Sequence, residues 1–258
     1  MSTKEYNFNE VSLLITHYNR PGSLKRLLQH FNDLNCKFGE VVVSDDCSKA
    51  PNLEEVMQLQ REFGFVLKTT PKNKGLGNNI NKGQDAVTKT LTLYVQEDFV
   101  PKAAFPEKLN EAISFMEQDA GLDVVRFYAY QLFPYLKPFG KGFSLMQFNA
   151  ANVFGSYKKF YVYSDHPHLR RSSFLQKFGR YPEGVNVEKA EYGMMMSFLK
   201  HKGKGLFFEK FNDLFDQMNS AEEPSTFERN WKRRDGFFIG IVRHLYRHVK
   251  FNLSYLFK

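Results

Sequence analysis

The chain has 258 residues, 25% of them charged and 42% hydrophobic, which suffices for one well-buried core and is ordinary for a globular protein. Two cysteines, Cys36 and Cys47, exclude a disulfide framework and a four-cysteine zinc site. The net charge of +8 is concentrated from Arg229 onward, where eight bases stand against Asp235 alone; the near-neutral body argues against a protein that wraps nucleic acid over its whole surface.

In chain order, the opening MSTKEYNFNE is polar and lacks the apolar stretch of a secretory signal. No uncharged apolar run approaches the roughly 18 residues needed to span a bilayer. A cytoplasmic location is therefore expected. Short β-rich runs at 11–16, 40–44, 65–70, 91–96 and 123–128 alternate with helix-like stretches at 22–34, 52–63, 77–88 and 102–118. Leu24, Leu27, Leu28 and Phe31 show the helical spacing well. Such alternation predicts an α/β fold with a mostly parallel central sheet flanked by helices. The second half is less regular. Pro134, Pro138, Gly140 and Gly142 make 133–143 read as a mobile loop. A helix is expected over 187–201, with Met194, Met195, Phe198 and Leu199 as its packed stripe and Gly203 past its end. The last segment, about 237–258, is apolar and basic together.

The strand ends carry the polar clusters. The first runs into His17-Tyr18-Asn19-Arg20-Pro21, the second into Asp45-Asp46-Cys47-Ser48, and the fourth into Glu97-Asp98. Ligands of open α/β sheets bind outside the carboxyl ends of the strands, so a crevice is expected there. Asp45-Asp46-Cys47-Ser48 fits either a turn with a helix cap or a carboxylate that receives a base and a ribose. Asn73-Lys74-Gly75-Leu76-Gly77 is a turn opening a helix and not a dinucleotide fingerprint, since Ile80 stands where the third glycine belongs. Glu97-Asp98 follows a buried-looking strand, where two carboxylates require something cationic. A hard divalent ion bridging them to diphosphate oxygens fits, as does a solvent-facing loop that caps the next helix. Asp165, His166 and His168 read as a polar loop.

Taken in order, a strand ending Thr-x-Tyr-Asn-Arg-Pro, one ending Asp-Asp-x-Ser, then Asn-x-Gly and a strand ending in acidic residues resemble the family 2 glycosyltransferases. The resemblance covers about residues 9–215 and is strongest over 11–101. It implies a GT-A (Rossmann-like) fold and an inverting transfer of sugar from a nucleotide-diphosphate donor, UDP-sugar favoured. The acceptor would be a hydroxyl of a glycan or lipid-linked glycan in bacterial cell-surface polysaccharide assembly. Carried over by position, Thr16, Tyr18 and Arg20 would line the nucleotide pocket, with Lys74 and Gly75 nearby. Asp46 would bind the base, with Asp45 beside it, and Asp98 would hold Mg²⁺ or Mn²⁺, with Glu97 meeting the sugar or ribose. The acidic motif reads Gln96-Glu97-Asp98-Phe99, not Asp-x-Asp, and an arginine common after the third strand has no clear equivalent besides Lys74 or Lys82. The resemblance also implies a general base at the start of the 187–201 helix, either Glu191 or Glu188. Its usual Glu-Asp pair is replaced here by Glu191-Tyr192. The 133–143 loop would close over the donor.

Two units are expected: a GT-A domain over 1–215 and a basic, aromatic helical tail over 216–258. In the tail, Trp231-Lys232-Arg233-Arg234 and the run from Phe237 to Arg247 mix apolar anchors with bases. That is the composition of an interfacial amphipathic helix on anionic lipid, which would make the protein peripheral on the inner face of the cell membrane; a helix packed on the body is the rival. Against the enzyme stands a second expectation, a non-catalytic GT-A-like domain that binds a nucleotide sugar or a partner.

Overall fold

The computed structural model describes residues 4–152, 155–219, 223 and 237–257, without the side chains of 237–241 and 243. Four parallel strands build the centre: β1 (Tyr6–His17), β2 (Cys36–Asp45), β3 (Val66–Lys68) and β4 (Leu91–Gln96). They lie side by side in the order β3-β2-β1-β4. The crossovers are helices α1 (Pro21–Asp33), α2 (Ala50–Phe63) and α3 (Leu76–Gln84). Pro21 presets the first turn of α1, and Leu24, Leu27, Leu28 and Phe31 bury one face of it.

The chain continues through β5 (Phe99–Pro101), α4 (Phe105–Gln118), β6 (Val124–Arg126), β7 (Leu136–Gly140) and β8 (Phe143–Met146). Then come β9 (His168–Arg171), α5 (Phe174–Phe178), α6 (Val187–Lys200), β10 (Gly205–Phe208), β11 (Phe215–Gln217) and α7 (Phe237–Phe257). Beyond β4 the sheet adds β9, β6, β10, β8 and β7, making nine strands among the described residues. β9, which runs against both neighbours, and β8 are reversed, so the sheet is mostly parallel as expected. β5 and β11 form a separate antiparallel pair, and the boundary expected after residue 215 falls within β11.

Side-chain alternation divides the interior into two cores, one on each face of the sheet. Leu13, Ile15, Val43, Leu93, Val95 and Val125 join α1, α2 and α4 on one face. Their neighbours Leu14, Val42, Tyr94 and Val124 join α3, α5 and α6 on the other. Gly83 lets α3 sit against the sheet, since a Cβ there would meet Leu14 Cδ1 at 2.5 Å.

The stretch expected as a mobile loop is a β-hairpin, β7–β8. Lys141 (φ 54°) and Gly142 (φ 85°) form its two-residue turn, the left-handed geometry that matches strand twist. Pro138 is tolerated because β7 is an edge strand. Glycine and proline there mark a tight turn and an edge.

The C-terminal helix packs on the body along one face and leaves the other exposed. Its inner face packs on the body, with Phe251 against Tyr192 (ring centroids 5.0 Å) and Phe160 (5.6 Å), and Tyr255 against Phe148 (5.0 Å). Its outer face exposes Val242, Leu245, Tyr246, Val249, Leu253, Leu256 and Phe257. Arg229, Trp231, Lys232, Arg233, Arg234 and Lys258 lie outside the described residues. Among the described residues no helix is long and apolar enough to cross a membrane.

Candidate active site

Register brings the polar strand ends together. His17 pairs with Asp45 across β1–β2, and Thr16 pairs with both Ser44 and Gln96. Three separate sequence clusters therefore meet at one edge of the sheet. They open into a cleft of about 1130 Å³.

Asp45 lies below this cleft, fully buried. It accepts hydrogen bonds from His17 Nδ1 (2.8 Å) and Ser48 N (2.9 Å), and a short one from the Ser48 hydroxyl. Burial alone would raise its pKa, but these donors outweigh it and hold the carboxyl below the usual range. With Nδ1 donating to Asp45, His17 Nε2 accepts from Arg20 N at 3.1 Å. Asn19 (φ 55°) then ties the first loop to the second, donating to Ser48 Oγ and accepting from Lys49 N, each at 2.7 Å. Asp45 is thus the anchor that sets the backbone of Arg20.

Asp46 faces the cleft. Its Oδ1 accepts from Lys74 N (2.8 Å) and its Oδ2 from Gly75 N (2.7 Å). Gly75 takes a left-handed φ of 83°, the conformation glycine adopts without strain, which turns its N–H toward Asp46. Gly75 lines the cleft, whereas the side chain of Lys74 does not. Lys82 is directed elsewhere, onto the Asp45 carbonyl. Thr16 and Tyr18 complete this end, the Thr16 hydroxyl lying 3.1 Å from that of buried Tyr94.

At the tip of β4, Glu97 and Asp98 are both buried and both line the cleft. The cation they require is Arg20: its Nη1 is 3.3 Å from Glu97 Oε1 and 3.6 Å from Asp98 Oδ2. Burial, then the charge of Asp98, push the Glu97 pKa well above the usual carboxylate range, with Arg20 pulling it back. Gln217 Nε2 donates to Asp98 Oδ2 at 2.8 Å, while Tyr130 OH donates to Gln217 Oε1 at 2.7 Å. Met218 N donates to the Asp98 carbonyl at 2.7 Å. Arg20 Nη2 reaches Asn219 Oδ1 at 2.6 Å, and the Glu223 carboxylate accepts from Gly22 N and Ser23 N, 2.8 Å each, at the start of α1. Gln217, Met218 and Asn219 thus lie against the acidic tip and Arg20. Asp98 Oδ1 is buried and has no hydrogen-bond partner among the described residues. Two oxygen donors with one orphaned oxygen suit a hard divalent cation. No three His, Cys, Asp or Glu side chains converge among the described residues, so further ligands would come from diphosphate and water.

Residues of α6 and α7 line the cleft as well. Asn186 caps α6 through Lys189 N (2.9 Å), placing Glu188 in the first turn and Glu191 in the second. Both line the cleft; Glu188 is exposed, and Glu191 Oε1 accepts from Asp165 N at 3.1 Å. Tyr246, Arg247, Lys250 and Phe251 of α7 also line it. Sequence reasoning placed Glu188 and Glu191 in the site but missed the α7 residues, Gln217 and Asn219 at the acidic tip, and the place of Asp165. The expected lid is absent from the cleft: none of 133–146 lines it, because the hairpin lies at the far edge of the sheet.

The sequence profile described as "Glycosyl transferase family 2" matches residues 12–179. No curated protein matches. Among solved structures, Staphylococcus aureus TarS 1-349 in complex with UDP-GlcNAc superposes with a TM-score of 0.59 at 16% identity, over 85% of this chain and 62% of that one. Longer S. aureus TarS gives 0.58 at 17% identity, over 83% and 37%. The chain thus spans less than two thirds of these relatives, and at such identity the likeness is one of fold.

Proposed function

The chain belongs to the family 2 glycosyltransferases, with a GT-A fold, and from that premise we propose that it moves a sugar from a nucleoside-diphosphate donor, UDP-sugar favoured, to a glycan hydroxyl with inversion. One observation carries this reading. Asp46, the Glu97–Asp98 pair, Glu188 and Glu191 all line a single cleft.

Thr16, Tyr18 and the Asp46–Gly75 corner would receive the base and ribose, held by the fixed backbone beneath them. Asp98, with Glu97 beside it, would hold Mg²⁺ or Mn²⁺. Bound there, the ion supplies Lewis-acid neutralisation of the leaving diphosphate. Arg20 adds a fixed cation at the same end. Glu191 takes the proton from the acceptor hydroxyl as that oxygen bonds to the anomeric carbon and the bond to the diphosphate oxygen breaks. Base assistance of this kind contributes roughly 10²–10⁴ in rate. Glu191 is favoured over Glu188 because it is half-buried and held by a backbone N–H, whereas Glu188 is exposed. TarS was crystallised with UDP-GlcNAc, which makes that sugar nucleotide the first donor to try.

The acceptor we favour is a lipid-linked glycan, with the protein peripheral on the inner face of the membrane. Support comes from α7, which walls the cleft and exposes Leu245, Val249, Leu253 and Leu256 on its outer face. It carries Arg247 and Lys250 and no acidic residue. Co-sedimentation with phosphatidylglycerol vesicles, lost in Leu245→Glu/Val249→Glu, tests this contact. For the transfer itself, release of nucleoside diphosphate from a panel of donors with Mn²⁺ is the test, with Asp98→Ala and Glu191→Ala expected to be silent.

A further inference from the structure

Asp165 has none of the roles assigned above, yet it joins the two working ends of the cleft. It lies just before β9, is 4% exposed and lines the cleft. Its carbonyl accepts from Gln96 Nε2 at 3.3 Å, and Gln96 directly precedes the Glu97–Asp98 pair. Its N–H donates to Glu191 Oε1 at 3.1 Å. Asp165 is thus hydrogen-bonded on one side to the strand whose tip faces the diphosphate, and on the other to the base. The transferred sugar must occupy the space between those two ends.

Behind the cleft the side chain is held firmly. Asp165 Oδ1 accepts from Tyr181 OH at 2.7 Å. That phenol meets the Tyr163 phenol in a short hydrogen bond, and Tyr163 OH accepts from Arg170 Nη1 at 3.2 Å. Arg170 is fully buried, and its charge is met by Gln84 Oε1 and by the rings of Tyr94 and Phe174. This network uses one carboxylate oxygen of Asp165. The other, Oδ2, is buried without a hydrogen-bond partner among the described residues. Buried polar atoms of native proteins are nearly always partnered, so an orphaned oxygen on a cleft-lining residue points to a ligand.

We infer that Asp165 Oδ2 accepts a hydrogen bond from a hydroxyl of the transferred sugar, which makes Asp165 a residue that selects the donor sugar. The inference rests on the nucleotide-sugar reading of the cleft. Burial and the neighbouring charge of Glu191 raise the Asp165 pKa, so near neutrality the carboxyl can also donate to a hydroxyl set the other way.

The test is calorimetric titration of the whole chain with UDP, UDP-GlcNAc, UDP-glucose and UDP-galactose in Mn²⁺. In Asp165→Asn, UDP affinity should stay within about twofold while the best-bound UDP-sugar weakens by about 10–100-fold, the scale of one lost charge-assisted hydrogen bond. Preference among the three sugars should shrink in parallel. Tyr181→Phe leaves Asp165 in place but frees its Oδ1 contact; it should give a smaller loss in the same direction, again on the sugar nucleotides alone. This second variant carries the test if Asp165→Asn does not fold. Wild-type binding with an unchanged ratio of UDP to UDP-sugar in the folded variant overturns the role of Asp165 alone. A wild type that binds none of the four ligands overturns the UDP-sugar reading and this inference with it.

Discussion

Replacing Arg20 by methionine keeps the apolar stem and removes a guanidinium that faces both acidic side chains of the β4 tip. In the structure its Nη1 sits 3.3 Å from Glu97 and 3.6 Å from Asp98, with side-chain exposures of 5% for Arg20, 11% for Glu97 and 5% for Asp98. Removing one partner of a buried ion pair costs about 3–5 kcal/mol, because the carboxylates left behind stay desolvated. For a chain of this size that lowers Tm by about 6–20 °C. A divalent ion would then face the two carboxylates without competition from the Arg20 guanidinium. At a concentration of about 100 times its Kd it restores about 2.7 kcal/mol. Thermal melts of wild type and Arg20→Met, with EDTA or with Mn²⁺, read both effects. Mn²⁺ should raise the variant's Tm by several degrees more than the wild type's. A variant as stable as wild type, or equal Mn²⁺ shifts in the two, would refute the idea that Arg20 and a metal serve the same carboxylates.

Glu191→Gln keeps an acceptor for the Asp165 N–H and removes the base, so transfer should fall by about 10²–10⁴; full activity in steady-state assays would move the base elsewhere. Asp46→Ala deletes the acceptor of two backbone N–H groups, together worth about 2–4 kcal/mol when half-buried. Its Tm should drop by about 5–15 °C and UDP affinity should fall, whereas an unchanged melt would show that the corner holds without it. The contribution of Asp165 to stability should also fall with rising pH above about 4. The Asp165 pKa is raised to about 7 from 3.8, so between those values the folded state binds more protons than the unfolded one. Going from pH 5.5 to pH 8 should therefore lower Tm by more in wild type than in Asp165→Asn; equal changes in the two proteins would contradict this.

What the sequence made legible is what local pattern controls. The β-branched runs ending in Asp45-Asp46 and Glu97-Asp98 gave the strands, and parallel register then brings those tips together. The Met194, Met195, Phe198 and Leu199 stripe gave α6, and all four are buried. What stayed hidden depends on distant partners. Asp165 draws its setting from Gln96, Tyr181 and Glu191, which local spacing cannot join. Gln217 and Asn219 reach the acidic tip only because β11 pairs with β5. The β7–β8 hairpin was read as a loop because glycine and proline signal a turn without saying that strands flank it. For α7, composition described an amphipathic helix but not that one edge of it walls the cleft.

The most direct test of the account is a thermal-shift titration of the whole chain with UDP-GlcNAc, UDP-glucose and UDP-galactose, each with and without Mn²⁺. If the Asp46 corner and the Glu97–Asp98 tip hold opposite ends of one ligand, a UDP-sugar and Mn²⁺ together raise Tm by more than the sum of their separate shifts, and Asp98→Ala abolishes that excess. Strictly additive shifts, or an excess that survives in Asp98→Ala, would contradict it.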